Sequence, residues 1–253
     1  MSLHTLLSRR SGVLDAIGDK ALRFWLYRQN LSFNPDQNGE HWLLHAMKSR
    51  SVMSPTPVIV DIGANEGRWA RQCLQLWPSA EMHLFEPSKT TAARLSASFD
   101  NVHAVVVSDA DGEVRFAEET QNSHSHITAT GGYTVPAVNA SRLHEITGAP
   151  DIDFVKVDTE GHDLKIVSAL LPLLQAGSVR ALQFEHHGLT NSYGEAFGEF
   201  AAKVAQAGCG LWRIMPSWLE RRDPGATAWR DLVGPNYVVA GPAMIPVFRA
   251  LAK

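Results

Sequence analysis

Gly63 and Gly67 flank Asn65 in the run Asp61-Ile62-Gly63-Ala64-Asn65-Glu66-Gly67, which separates a short apolar stretch from an amphipathic one. Glycines at such a turn let a ligand approach the backbone, and the N-terminus of the following helix attracts an anion, so a nucleotide-like cofactor belongs there. The spacing is not GxGxxG, so the pyrophosphate fingerprint of NAD sites is missing. A nucleoside cofactor that offers a carboxylate instead of phosphates suits the turn better. Glu86, 25 residues beyond Asp61 at the end of the next apolar run, can accept both hydroxyl protons of an adenosine ribose. Asp109, just past the third run, is placed to accept from an adenine amino group with the Ser108 backbone alongside; the other reading makes Ser108 and Asp109 only the start of a turn. The cofactor set is therefore Asp61, Gly63, Asn65, Gly67, Glu86, Ser108 and Asp109.

A second concentration of reactive side chains follows two later apolar runs. Asp158, Glu160 and His162 come after Phe154-Val155-Lys156-Val157, and Glu185, His186 and His187 come after residues 179–184. The carboxyl ends of parallel strands open on a ligand crevice. A hydroxyl acceptor held there has a proton to lose, and two mechanisms fit. His162 or His186 can act as a general base of near-neutral pKa, or Asp158 and Glu185 can hold a divalent cation that acidifies the hydroxyl. Oxygen ligands favour Mg²⁺, yet no tight metal-ligand spacing stands out, and the metal question stays open. The catalytic candidates are Asp158, His162, Glu185 and His186. Glu160-Gly161 also reads as a helix start, where an acid complements the helix dipole. His124 and His126 read as solvated loop residues, with metal or acceptor binding as the other reading. His83 and His103 read as satisfied strand residues, Trp212 as core, and Trp218 and Trp229 as candidates to pack a sugar ring.

These residues need a frame that brings strand ends together. After Ser54-Pro55-Thr56-Pro57 short apolar runs alternate with longer amphipathic stretches, the signature of βαβ units and a parallel sheet. Strands are expected at 58–62, 82–85, 102–107, 154–157 and 179–184, with helices at 67–77, through Ala92, Leu95 and Phe99, and through Leu164, Val167, Leu170 and Leu171. Phe197, Phe200, Ala201 and Val204 stripe a further helix that Gly208 closes. Leu211–Met215 and Tyr237–Ala240 are expected to pair antiparallel at the sheet edge. Residues 113–116 read as an added strand, and 121–134 as a mobile loop without periodicity. Near the start, Leu14, Ile17, Leu22, Phe24 and Trp25 are the expected buried positions of amphipathic helices. The division is an N-terminal helical extension, 1–54, and a cofactor-binding domain, 55–253.

Composition excludes several classes. With 45% apolar residues in runs far too short to cross a bilayer, a globular chain without a transmembrane segment is expected. A net charge of −3 leaves no basic surface for a phosphate backbone, so no nucleic-acid partner is expected. Cys73 and Cys209 lack CxxC partners, which suits a reducing compartment rather than a disulfide or zinc scaffold. Arg9-Arg10 superficially match a twin-arginine export signal, but Asp15, Asp19, Lys20 and Arg23 interrupt the apolar core such a signal needs. A cytoplasmic location is the expectation.

Taken together, Val58-Ile-Val-Asp61-Ile-Gly-Ala-Asn-Glu-Gly67, His83-Leu-Phe-Glu86-Pro87 and Asp153-Phe-Val-Lys-Val-Asp158-Thr-Glu160-Gly161-His162 closely resemble the FkbM family of S-adenosylmethionine-dependent O-methyltransferases. Asn38-Gly39-Glu40 and Gln183-Phe184-Glu185 are similar to that family too, and the resemblance runs from about Phe33 to Ala240. It implies a class I methyltransferase fold: a Rossmann-like, seven-stranded, mostly parallel sheet with an antiparallel edge strand and helices on both faces. It further implies S-adenosyl-L-methionine over the strand carboxyl ends and a hydroxyl acceptor on a small molecule or glycan. Where the family often shows Thr-Leu-Asp ahead of its fourth strand, this chain offers Ala140-Ser141-Arg142. Two other classes stay open: an NAD(P)-dependent oxidoreductase, which shares the first half of the fold, and a non-catalytic binding module.

Overall fold

The computed structural model describes residues 12–28, 30, 32, 34–117, 126–127, 131–186, 197–222 and 236–253. His124, His187, Trp229 and most of the expected mobile loop lie outside them, as do the side chains of Leu14, Leu22 and Trp25. The helices are α1 (Gly12–Arg28), α2 (Pro35–Asn38), α3 (Glu40–Ser49), α4 (Arg68–Leu76), α5 (Lys89–Leu95), α6 (Leu143–Thr147), α7 (Asp163–Ala176), α8 (Phe197–Gln206) and α9 (Ile245–Arg249). The strands are β1 (Val58–Ile62), β2 (Glu81–Phe85), β3 (Asn101–His103), β4 (Val106–Ser108), β5 (Gly112–Ala117), β6 (His126–Ile127), β7 (Tyr133–Asn139), β8 (Ile152–Val157), β9 (Val179–Glu185), β10 (Gly210–Met215), β11 (Trp218–Arg221) and β12 (Asn236–Ala240).

The main sheet has the order β11-β10-β12-β9-β8-β1-β2-β3. The five strands from β9 to β3 are parallel neighbours. β12 runs antiparallel to both β9 and β10, as its expected pairing with 211–215 required, but it lies inside the sheet rather than at its edge. The edge belongs to β11, an eighth strand absent from the seven expected. It forms because Pro216-Ser217 make a two-residue hairpin that folds Trp218 back onto Met215.

The strand expected at 102–107 is two strands in two sheets. β3 ends the main sheet, whereas β4 joins a smaller sheet of order β4-β7-β5-β6. Residues 133–134, expected in a loop, begin β7. The small sheet has its own core of Val106, Phe116, Val135 and Ala137.

Strand alternation feeds two layers, one on each face of the main sheet. Val60, Ile62, Val155 and Val157 point into a core with α7 and α8, while Ile59 and Phe154 point into one with α3 and α4. Burial on both faces is why these strands read as unbroken apolar runs. Leu43, Leu44 and Met47 of α3 are fully buried in the second core. Ile17 and Phe24 of α1, expected to be buried, are instead 58% and 67% exposed. Helical periodicity places them on one face but does not supply a surface to cover it. Among the described residues no helix is long and apolar enough to cross a membrane.

Candidate active site

β1 ends in a turn whose backbone is committed to its neighbours. Gly63 and Ala64 both donate to the Phe85 carbonyl, at 2.9 and 3.1 Å, and Asp158 donates to the Ile62 carbonyl at 2.9 Å. Gly63 has φ +81°, and a Cβ there would collide with the Asp158 carbonyl oxygen. Only glycine lets the ends of β1 and β8 approach this closely. Asn65 takes the left-handed region at φ +46° and aims its N–H at Glu86 Oε2, 2.8 Å away. Ser88 donates its N–H to Glu86 Oε1 at 2.8 Å. A carboxylate has about four lone-pair sites, and these two N–H groups fix one to each Glu86 oxygen.

Asp61 is buried, and neither of its carboxylate oxygens has a hydrogen-bond partner among the described residues. Burial first, then the charges of Asp158, Glu40 and Glu86, push its pKa up to about 7 against the opposing pull of Lys156. An orphaned buried carboxylate is costly, on the order of several kcal/mol. It suits a cationic ligand group such as an amino acid ammonium, and so does the residue set around it.

Lys156 is the hub of this cluster. It stands beside Asp61 in the β1–β8 register, and its Nζ lies 2.7 Å from Asp158 Oδ2. Burial works against its charge, but Asp158, Asp61 and Glu40 outweigh that and hold its pKa above the ordinary lysine value. Glu40, at the start of α3, accepts from Gln183 Nε2 at 2.8 Å, and burial raises its pKa. The α3 start is held in place by Gly39, at φ +98°, where a Cβ would strike the Met215 carbonyl. Glu185, at the end of β9, hydrogen-bonds to Asp158; burial and then the Asp158 charge push its pKa up to about 10. Asp163 receives the N–H groups of Thr159 and Gly161 at 2.9 and 3.0 Å, fixing the turn that carries Glu160 at φ +55°.

The structure thus joins Asp158 to Glu185 and Asn65 to Glu86. It also joins Ser108 to His162, whose Nε2 lies 2.9 Å from Ser108 Oγ, while Ser108 Oγ donates to Asp109 Oδ1 at 3.0 Å. Burial and the Lys165 charge lower the His162 pKa. His186 is stacked on Phe197 at 4.9 Å between centroids and lies edge-on to Tyr237 at 6.3 Å. His83 and His103 satisfy each other at 3.2 Å, and Trp212 is buried in the core. Lys156, Glu40, Gln183 and Asp163 were not among the sequence candidates. A lysine inside an otherwise apolar strand was the visible signal for the first of them. Among the described residues, no group of three or more metal-ligating side chains is placed to hold an ion.

A parallel sheet with one reversed strand next to its last parallel member, a glycine turn after β1 and an acid after β2 define the class I methyltransferase fold. Residues 61–209 match the methyltransferase FkbM domain, and the chain belongs to that family. It is 28% identical over 127 residues to the hexuronic acid methyltransferase AglP of Haloferax volcanii, covering 47% of this chain and 52% of that protein. It is 40% identical over 67 residues to the 2-O-methyltransferase NoeI of Sinorhizobium fredii, covering 24% and 28%. The chain thus spans about half of the first relative's length and about a quarter of the second's. The crystal structure of the methyltransferase FkbM from Methylobacillus flagellatus is 13% identical, with a TM-score of 0.46 over 74% of this chain and 44% of that one.

Proposed function

We propose that the chain transfers a methyl group from S-adenosyl-L-methionine to a hydroxyl oxygen of a glycan or other small polyhydroxylated molecule. The observation that carries this reading is the Asp158–Glu185 pair, two carboxyl groups sharing a hydrogen bond where β8 and β9 end beside the Gly63 turn. The names of the two relatives, a hexuronic acid methyltransferase and a 2-O-methyltransferase, favour a sugar and an oxygen acceptor.

When bound, the cofactor supplies an electrophilic methyl group on a positively charged sulfur. In this reading Asp61 holds its ammonium, the Gly63–Gly67 turn with Asn65 gives it room, Glu86 accepts from the ribose hydroxyls, and Ser108 and Asp109 meet the adenine. The acceptor oxygen needs alignment with the methyl carbon and a place for its proton. The Asp158–Glu185 pair is that place. With a positive charge beside it the pair would release its shared proton to solvent, and the ionised pair would then take the acceptor's proton as the new O–C bond forms and the methyl–sulfur bond breaks. Lys156 holds Asp158 in orientation through its 2.7 Å ion pair. Residues 55–253 make up the cofactor-binding unit, to which the N-terminal extension lends Glu40.

Transfer from labelled cofactor to a sugar panel tests the reading. Asp158→Asn and Glu185→Gln should each lower kcat by about 10²-fold or more while still binding S-adenosylhomocysteine in calorimetry. Loss of turnover in EDTA with recovery in Mg²⁺ would move the proton chemistry to a metal. Failure of the wild type to bind S-adenosylhomocysteine would reject the reading outright.

A further inference from the structure

The large apolar side chains left exposed among the described residues, Ile17 and Phe24, both lie on α1. With Ala21, also exposed, they stand at i, i+4 and i+7, so one face of the helix carries all three. Asp15 and Asp19 are each two residues from Ile17, about 160° around the helix axis and therefore on the opposite face. Lys20, three residues beyond Ile17, flanks the apolar strip at about 60°. Every described side chain of α1 is exposed, so its apolar strip meets no other described element. A helix of 17 residues is marginal in water by itself, and a surface that covers the strip completes it.

Charge selects that surface. Residues 1–28 contain Arg9, Arg10, Lys20, Arg23 and Arg28 against Asp15 and Asp19, a net +3, while the whole chain carries −3, which leaves −6 on the remaining residues. A second copy of α1 brings like charge against like charge, and a strip with two large side chains falls well short of the roughly 20 residues a side that a stable protein interface takes. An anionic lipid surface attracts the same positive charge and demands no matching shape. Five charged residues between Asp15 and Arg28 exclude a spanning helix, in keeping with the absence of any described helix long and apolar enough to cross a membrane.

We propose that α1 docks the protein on an anionic lipid surface, lying in the plane of the headgroups with Ile17, Ala21 and Phe24 turned into the apolar layer. Lys20 lays its stem along the strip and keeps its ammonium among the headgroups, while Asp15 and Asp19 face water. The acidic remainder of the chain is repelled by the same surface, so the contact is confined to the helix and is reversible. This docking is independent of the methyltransferase reading.

Co-sedimentation of the full chain with vesicles of phosphatidylcholine, alone or mixed with phosphatidylserine, tests the proposal. The protein should partition onto the mixed vesicles about tenfold or more strongly than onto the neutral ones, and high salt should remove most of the difference. Ile17→Asp combined with Phe24→Asp should lower binding to the mixed vesicles about tenfold or more. Asp19→Asn, which leaves the apolar strip intact, should strengthen that binding severalfold and Lys20→Glu should weaken it; these two arms decide the matter if the double variant does not fold. Sedimentation velocity without lipid should give the same oligomeric state for the wild type and the double variant. Equal binding to both kinds of vesicle, binding to neither, an unchanged double variant, or no response to Asp19→Asn and Lys20→Glu overturns the proposal. So does an oligomer that the double variant dissociates, which would assign the strip to a second copy.

Discussion

Asp158 accepts from the Glu185 carboxyl group on one side and from the Lys156 ammonium, at 2.7 Å, on the other. Two adjacent strands therefore meet on one carboxylate: Lys156 comes from β8, which Asp158 directly follows, and Glu185 from β9. The arrangement fixes a proton at neutral pH in a place where a lone glutamate would have lost it.

That proton makes stability depend on pH. Folding raises the Glu185 pKa from 4.5 to about 10, so the folded chain holds one more proton than the unfolded chain between those values. Its contribution is fully present below about pH 4.5 and is lost as pH rises toward 10, with a slope of at most about 1.4 kcal/mol per pH unit. Glu185→Gln mimics the neutral form and should have the higher Tm at pH 8, while the two proteins converge near pH 4. A lower Tm for the variant at pH 8 would mean that Glu185 is ionised in the folded chain.

Gly63→Ala should damage both folding and activity. Its φ of +81° disfavours a side chain, and the added Cβ meets backbone at Asp158 rather than a flexible side chain that could move away. A loss of more than about 1 kcal/mol is expected. Gly148→Ala is the control: φ is +70° there too, but nothing lies within 4 Å of the added carbon. Denaturant titration should place Gly63→Ala clearly below Gly148→Ala, and equal midpoints would show that the β1–β8 approach is not tight.

Glu86→Ala removes the acceptor for the Asn65 and Ser88 N–H groups, and in the proposed complex for the ribose hydroxyls. Leaving such donors unmatched costs about 1 to 3 kcal/mol, so S-adenosylhomocysteine should bind roughly 10- to 100-fold more weakly. Calorimetry measures this directly. Wild-type affinity in the variant, or tighter binding of NADH than of S-adenosylhomocysteine by the parent, would refute the cofactor assignment.

What could be read from the sequence followed burial. β1, β2, β8 and β9 were legible because both faces are covered and apolar residues run unbroken, and the acids after them follow from topology. The division of 102–107 was not, because an apolar run does not record that Ala104-Val105 carry the chain from one sheet to another. β7 was hidden by Pro136, which interrupts a strand pattern, although Val135 and Ala137 alternate with exposed neighbours as a half-buried strand should. The link from Glu40 through Lys156 to Asp61 joins residues far apart in the chain, and only the folded register brings them together. His162 was a natural candidate base on its type and place, but the sequence does not show that Ser108 occupies its ring.

His162 should therefore behave as a positioning residue for the cofactor end of the site. Ser108 Oγ gives its own proton to Asp109, so it must accept from His162 Nε2, and that hydrogen bond fixes the imidazole tautomer. Burial and the Lys165 charge hold the ring neutral more strongly than usual, which makes it a weaker proton acceptor than an ordinary imidazole. His162→Ala should raise the cofactor KM by about tenfold, the equivalent of one hydrogen bond of about 1.4 kcal/mol, with kcat within a few-fold of wild type. His162→Asn or His162→Gln can donate to Ser108 again and should recover much of the loss, which a proton-abstracting role would not permit. The pH profile of kcat should keep its shape in all three variants. A 10²-fold fall in kcat, with the acid limb of the profile gone and no rescue by the amides, would make His162 the base and reduce the Asp158–Glu185 pair to a structural element.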